Sequence, residues 1–383
     1  MGQKLFLDFE KYVRTIYHDE NILLHRPVFS QSDEHYVMAS LKSNFVSSAG
    51  PEVGLFEKEV AKFTGAKYAV ATVSGTAALH ACLAVIGVGY GDEVIIPSLT
   101  FVATGNAVKY CGAEPVFLDV EPMTGTISPD ALHCFLSKNT TYVNGQLLNK
   151  STQRPIKACI VMHTFGHPAR LTKISKICKS FDIDLIEDAA EALGSRINEI
   201  HVGNAGRLSI YSFNGNKIIT TGGGGMITSN DEDLAIKLRH ITATAKVSHQ
   251  YNYFHDQLGF NYRLPNLNAS LGLGQMKYLR KFLTEKRKVA KLYDDFFKGT
   301  PVRFWSEEPG VASNYWLNAV SFPNKELKYA FLDFTNSRGI MTRPVWDLLP
   351  TLPHFKHSQT DGIPVARGIF ETTVNIPSSV PNN

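Results

Sequence analysis

Cysteine is scarce and unpatterned in this chain. Its 383 residues hold five, Cys82, Cys111, Cys134, Cys159 and Cys178, with no C-x-x-C pair. An odd count at long spacings argues against a disulfide scaffold and against a structural zinc site, so no metal is expected and a cytoplasmic setting is. An excess of basic charge is lacking too. Lys and Arg number 39 against 35 Asp and Glu, a net charge of +4. Over this length that leaves no electrostatic footprint for nucleic acid. No apolar run reaches the ~18 residues of a spanning helix, so no membrane is expected as a partner. The opening MGQKLFLDFEKYVRTIYHDE mixes charge into its apolar positions, unlike a signal peptide. Gly87-Val88-Gly89-Tyr90-Gly91 is not the dinucleotide fingerprint and follows a helical stretch; a P-loop and an H-E-x-x-H are absent. His163 and His167 straddle Gly166 and do not make a helical metal pair.

What is present is a balance of 44% hydrophobic and 19% charged residues, that of a folded globular protein. Apolar residues fall at helical spacing over 32–45 and 53–63. A rhythm then begins. Short β-branched runs at 68–73, 93–96, 115–118, 157–162 and 184–187 alternate with helical stretches at 76–86, 101–110, 128–136 and 171–181. Strands separated by helices of about a dozen residues predict βαβ crossovers and a parallel sheet covered on both faces. After Ile186 the rhythm breaks. Runs at 208–213 and 225–228 are joined by a Gly-rich turn, which predicts antiparallel members there. A helix is expected over 231–240, then a long charged helical stretch over 267–297 that contains the domain boundary, then a smaller unit with a strand near 318–322. The organisation expected is an extension over 1–30, a large α/β domain over 31–275 and a small C-terminal α+β domain over 276–383.

Four stretches carry candidate chemistry. Ser74-Gly75-Thr76-Ala77 stands between a strand and a helix, where free amides attract anions. Gly75 lets the chain turn, and Thr76 is expected to cap the helix and offer its hydroxyl to a phosphate. The plain alternative is an ordinary capped turn. Asp184-Leu185-Ile186-Glu187-Asp188-Ala189-Ala190-Glu191 places carboxylates at the end of a buried strand, the edge where open α/β sheets bind ligands. They serve equally as a helix N-cap favoured by the dipole. Ser212-Phe213-Asn214-Gly215-Asn216-Lys217 leads to four glycines at 222–225. A desolvated Lys can be a nucleophile or a Schiff-base amine; a solvated Lys on a flexible loop is the alternative. Leu258-Gly259-Phe260-Asn261-Tyr262-Arg263-Leu264-Pro265 sets Asn261 and Arg263 among aromatics and is unremarkable alone.

Together, a phosphate cradle, an acid past a strand end and a lysine in a Gly-rich setting match what pyridoxal 5′-phosphate requires. The chain resembles the DegT/DnrJ/EryC1/StrS sugar aminotransferases from about Pro27 onward. The matching segments are SGTAAL at 74–79, PSLTFVATGNAV at 97–108, EPVFLDV at 114–120, HTFG at 163–166, DAAEALGS at 188–195, SFNGNK at 212–217, TTGGGGMI at 220–227 and GFNYRLPNLNASLG at 259–272. The resemblance implies the fold type I of pyridoxal phosphate-dependent transferases, with a mixed, mostly parallel seven-stranded sheet. It implies that Lys217 bonds the cofactor aldehyde and acts as catalytic base and acid, and that Asp188 partners the pyridine nitrogen. Thr76, the Ala77 amide and Ser212 are implied phosphate ligands, and Phe101 an aromatic against the ring. Asn261 is implied to reach the phosphate of a neighbouring subunit, hence a homodimer with shared sites. Glu191 stands where Gln is common, near the ring oxygen, and Gly223 where Glu is common. His163 and Arg263 are candidate substrate residues. The implied reaction moves an amino group from L-glutamate to C4 of a nucleotide-linked 4-keto-6-deoxy sugar in bacterial surface-glycan synthesis (lipopolysaccharide or O-antigen). SFNGNK, TTGGGG and Ile376-Pro377-Ser378-Ser379 resemble the enzymes acting on a UDP-linked N-acetylhexosamine, of the bacillosamine or legionaminic acid type. GDP- or dTDP-keto-sugars, C3 amination, dehydration and a non-catalytic regulator are the alternatives.

Overall fold

The computed structural model describes residues 2–381. Its centre is a seven-stranded sheet of β1 (Tyr68–Thr72), β2 (Glu93–Pro97), β3 (Glu114–Leu118), β4 (Ile156–Met162), β5 (Asp184–Asp188), β6 (Leu208–Ser212) and β7 (Gly225–Ser229). The spatial order is β1-β7-β6-β5-β4-β2-β3. β7 runs antiparallel to both its neighbours and every other pairing is parallel. The reversed strand is the one reached through the Gly-rich turn, because a parallel partner needs a crossover that this turn is too short to supply. All five residues of β2 are buried, as a strand covered on both faces demands.

The helices are α1 (Gly2–Tyr17), α2 (Gln31–Ser43), α3 (Pro51–Thr64), α4 (Gly75–Val85), α5 (Val102–Tyr110), α6 (Pro129–Asn139), α7 (Leu171–Ser180), α8 (Glu232–Thr242), α9 (Asn266–Met276), α10 (Leu279–Phe297), α11 (Lys325–Asn336) and α12 (Pro364–Thr372). α4, α5 and α8 pack on one face of the sheet, with Leu79, Val108 and Leu238 against Val70, Ile96 and Ile186. α3, α6, α7 and α9 cover the other, with Phe56, Phe135 and Ile174 against Ala71, Ile95 and Leu185. Residues 267–297 are not one helix. α9 is buried on nearly every side, whereas α10 confines Phe282, Val289, Tyr293 and Phe297 to one stripe. One straight rod cannot serve both environments, and the chain turns at Lys277–Tyr278.

A second, antiparallel sheet follows: β8 (Arg303–Phe304), β9 (Asn318–Ser321), β10 (Arg343–Pro344) and β11 (Thr373–Ile376), in the order β8-β9-β11-β10. Residues 1–30 were expected as an extension; the described part of it, residues 2–30, contributes to this unit's core. α1 buries Phe6, Phe9, Val13 and Tyr17 at spacings of a single helix face, against Tyr293, Phe297 and Phe331. Ile22 then pairs along the edge next to Ile340, its amide donating to Gly339 O at 2.8 Å and its carbonyl accepting from Met341 N at 2.8 Å. Among the described residues no helix is long and apolar enough to cross a membrane.

Candidate active site

Every strand of the large sheet but β7 points its carboxyl end at one edge. A cavity of about 360 Å³ opens there, lined by Thr76, Phe101, Asp188, Glu191, Ser212 and Lys217 among others. A larger hollow of about 600 Å³ lies at the opposite edge, beside Pro155, Asp184 and Arg207. Arg207 there is paired with Asp184 at 3.2 Å. Ligands in open α/β sheets bind at the carboxyl edge, so the smaller cavity is the site.

Its anion-binding corner is the start of α4. The N-cap is Ser74, not Thr76 as expected: Ser74 is extended and its Oγ accepts from the Ala77 amide at 3.1 Å. Both hydroxyl residues suit a cap, and a one-residue difference in where the helix starts decides between them. Two consequences follow. The Thr76 hydroxyl is left to face the cavity, and the Ala77 amide, expected to meet a phosphate, is turned to the cap. The first-turn amides of Gly75 and Thr76 have no intrahelical acceptor. The corner closes tightly on β7. A Cβ at Gly225 would lie 2.5 Å from the Ser74 carbonyl carbon, so only glycine permits this approach. Ser212, at the end of β6, stands across from Gly75, where an added Cβ would come within 3.2 Å of its own.

β5 separates two carboxylates by its pleat. Glu187 shares a face with Leu185, and Asp188 points the other way with Ile186. Glu187 is fully buried and accepts from the amides of Gly203 (2.7 Å), Ala205 (2.7 Å) and Gly206 (2.6 Å). Burial pushes its acidity the other way, but His163 and these amides hold it below the usual carboxyl range. His163 spends both ring nitrogens inside the protein. Nδ1 accepts from Ala169 N at 3.0 Å, so Nε2 carries the hydrogen and donates to Glu187 at 3.1 Å. A substrate role for His163 through its nitrogens does not fit this arrangement. Asp188 lies in the cavity wall with one oxygen accepting from Thr104 Oγ1 at 2.8 Å and the other from Ala190 N at 3.2 Å. Burial raises its pKa, and the Thr104 hydroxyl draws it back.

Lys217 is neither solvated nor on a loose loop. Its side chain is 13% exposed. The segment is tied at both ends, Thr221 N to Phe213 O at 2.9 Å and Asn268 Nδ2 to Thr221 O at 2.7 Å. The amine lies 3.4 Å from Glu191 Oε1 and 3.7 Å from the centre of the Trp316 ring. Glu191 is buried, which lifts its pKa to about 7 against the pull of Lys217; its other oxygen accepts from Phe165 N at 2.9 Å. Phe101 stands at the mouth, 49% exposed, with its ring 6.0 Å from Trp346. Trp316 and Trp346 were not foreseen. They come from the C-terminal unit, and the one signal was rarity, three tryptophans in the chain.

Arg263, expected beside the substrate, lies outside this cavity, and so does Asn261, which was expected at a neighbouring subunit's phosphate. Arg263 pairs with Glu57 at 2.9 Å behind β1. Asn261 is exposed, joined to Ala243 by a backbone bridge.

The model of the DegT/DnrJ/EryC1/StrS aminotransferase family matches residues 28–381. The chain belongs to that family. It is 36% identical over 364 residues to EpsN of Bacillus subtilis, which bears the name of a pyridoxal phosphate-dependent aminotransferase; 94% of this chain and 91% of that one are covered. It is 32% identical over 357 residues to the GDP-perosamine synthase of Escherichia coli O157:H7, covering 93% of each. The crystal structure of the aminotransferase TlmJ from Streptoalloteichus hindustanus superposes with a TM-score of 0.84 at 26% identity, covering 94% of this chain and 93% of that one. The fold is therefore that of the fold type I transferases, and this family member is an aminotransferase dependent on pyridoxal phosphate. The cavity suits the group on its own chemistry. It offers free helix-start amides and two hydroxyls for a phosphate, a buried carboxylate for a ring nitrogen and one amine for an aldehyde.

Proposed function

We propose that this protein moves an amino group from L-glutamate to the C4 keto carbon of a nucleotide-linked 4-keto-6-deoxy sugar. The observation that carries the reading is the meeting of Lys217, Asp188 and the start of α4 in one cavity. When bound there, pyridoxal phosphate supplies a carbonyl that condenses with amines and a ring that withdraws electrons. Thr76, Ser212 and the amides of Gly75 and Thr76 would hold its phosphate, Asp188 its ring nitrogen and Lys217 its aldehyde carbon. Asp188 keeps a negative charge where the ring nitrogen needs one, and Thr104 fixes its angle. Lys217 Nζ would take the proton from the α carbon of glutamate and, in the second half of the exchange, pass a proton to C4 of the sugar, general acid–base work worth about 10²–10⁴-fold. Phe101 and Trp346 exclude water from the mouth.

A UDP-linked N-acetylhexosamine is the substrate implied by SFNGNK and the terminal Ile376-Pro377-Ser378-Ser379. The GDP-perosamine synthase relatives favour a GDP-linked sugar as a second reading. Incubating the purified protein with glutamate and UDP-, GDP- and dTDP-linked 4-keto sugars, then identifying products by mass and NMR, separates them. A C4 amine on one nucleotide sugar supports the proposal; no amine on any of them, or a C3 amine, overturns it.

We also propose a homodimer with shared sites. The loop before Asn261 exposes Tyr251, Tyr253 (81%), Phe254 and Leu258 (85%), an apolar surface that a second copy would cover. Light scattering that returns a monomer at micromolar concentration would refute it.

A further inference from the structure

Trp316 is fixed on three polar ties. Its indole Nε1 donates to Asn216 O at 2.7 Å, its amide to Asn314 Oδ1 at 2.8 Å, and its carbonyl accepts from Lys286 Nζ at 3.1 Å. The ties are themselves anchored. Asn314 is 1% exposed and donates to the carbonyls of Glu191 and Leu193, both at 2.9 Å. Lys286 is also 1% exposed, and its amine bonds to carbonyl oxygens, those of Trp316 and Ser378. Burial pushes its pKa well down. Two of the ties hold the Trp316 backbone and one its side chain, and what the indole presents to the cavity is its face. On that face, 3.7 Å from the ring centre, lies the amine of Lys217. Glu191 flanks the same amine at 3.4 Å. Trp346 lines the same cavity but packs on Phe101 and Phe165 instead.

A lysine that bonds reversibly needs a defined place to stand when it is released. The face of a tryptophan is the strongest aromatic seat for an ammonium group, more so away from water. We propose that Trp316 is a positioning residue for Lys217: its indole and the Glu191 carboxylate form a seat that holds the released amine inside the cavity. The seat is assembled from both units, since Trp316 rides on the C-terminal unit and Lys217 on the β6–β7 connection. The inference rests on Lys217 being the working amine, as proposed above, and not on which sugar is aminated.

The test is chemical labelling of the full-length protein freed of cofactor. Acetic anhydride attacks an uncharged, accessible amine, and mass spectrometry of the Lys217 peptide reads its rate. Trp316→Leu is expected to label Lys217 about ten-fold faster than the unaltered protein, the factor that corresponds to about 1.4 kcal/mol. Trp316→Phe, which keeps a weaker ring, should fall between, and Trp346→Phe, which alters the mouth but not the seat, should raise the rate less than Trp316→Leu does. In the cofactor-loaded enzyme, Trp316→Phe should lower the maximal rate with glutamate while leaving the apparent glutamate KM within about two-fold. Equal labelling in all proteins, or an effect of Trp346→Phe as large as that of Trp316→Leu, overturns the proposal. Should Trp316→Leu fail to fold, Trp316→Phe carries the test. Graded labelling with no aminated sugar would sink the substrate reading and leave the seat standing; ungraded labelling with an aminated sugar would do the reverse.

Discussion

The wall of the cavity built by the sheet and the wall built by the C-terminal unit are made by different rules. On the sheet side, position follows from topology. Asp188, Ser212 and Thr76 stand at or just past the ends of strands that all point one way. Each is polar because its place at the carboxyl edge calls for a ligand contact, and each interrupts an apolar run. On the C-terminal side, nothing local says where Trp316 and Trp346 will go. Trp316 reaches the cavity because Asn216 and Lys286, far away in sequence, hold it there, with Asn314 two residues before it completing the set. The sheet wall holds the reacting groups, and the other wall holds those groups in place. Substitutions should therefore differ in kind between the walls, and their sizes test the division.

The largest effect is expected at Lys217. Lys217→Ala removes the amine that carries the proton, and turnover should fall by more than about 10³-fold. Loss of the absorbance change on adding L-glutamate checks it. A variant retaining a tenth of the activity would mean that another group does this work, and the contrast between the walls would lose its basis.

Asp188→Asn is next. The substitution keeps shape and one hydrogen-bond acceptor for Thr104 but removes the charge. A fixed charge facing a developing one is worth about 10²–10³-fold in kcat. Rapid-mixing measurements of the glutamate reaction should show that loss with the cofactor still bound. Equal rates would separate the carboxylate from the chemistry and leave it a structural group like Glu187.

The sequence marked these two residues as candidates for a physical reason, and the family resemblance supplied their roles. Strands buried on both faces read as short apolar runs; the carboxylates clustered after Leu185-Ile186 stand out against such a run, and so does a lysine among small residues. The sheet itself was legible through the same runs, and β7 through the missing crossover. Other features were not. Ser74 and Thr76 are both good caps, and helix start differs between them by a turn fraction that only packing on Gly225 resolves. Glu187 and Asp188 alternate faces, but which face meets the cavity depends on the helices above them. His163 and Arg263 sit in matching motifs, yet Glu187 and Glu57 claim them. The apolar stripe of α1 could be read from Phe6, Phe9, Val13 and Tyr17, but its docking place on α10 and α11 is a non-local contact.

Glu191 joins the walls, since it touches Lys217 and its own carbonyl is held by Asn314. Its pKa is raised from 4.5 to about 7, chiefly by burial. Between those values the folded protein binds a proton that the unfolded chain has lost, so stability falls as pH rises through the window. Below it the penalty vanishes, and above it the penalty is complete. Glu191→Gln cannot ionise and escapes the penalty. Thermal midpoints at pH 5, 6, 7 and 8 should show the variant gaining on the unaltered protein up to about pH 7 and then holding level. Parallel curves would mean that Lys217 keeps Glu191 charged throughout, and that the seat is a full ion pair.

The smallest effect distinguishes the two hydroxyls at the start of α4. Ser74→Ala deletes the cap on the Ala77 amide and should cost about 1 kcal/mol of stability. The freed amide then points toward the same corner as Gly75 and Thr76, so one donor is gained for a phosphate as the cap is lost. Cofactor affinity should therefore change by less than about three-fold, since a hydrogen bond nets only about 1 kcal/mol in either direction. Thr76→Ala removes a hydroxyl that faces the cavity and touches no cap. It should leave the thermal midpoint of the cofactor-free protein unchanged and weaken cofactor binding by about five- to ten-fold. Measuring both properties on both variants places each residue on one side of a line between folding and binding. If Ser74→Ala weakened the cofactor more than Thr76→Ala did, Ser74 would be the phosphate's partner and the cap would be a resting contact that it gives up.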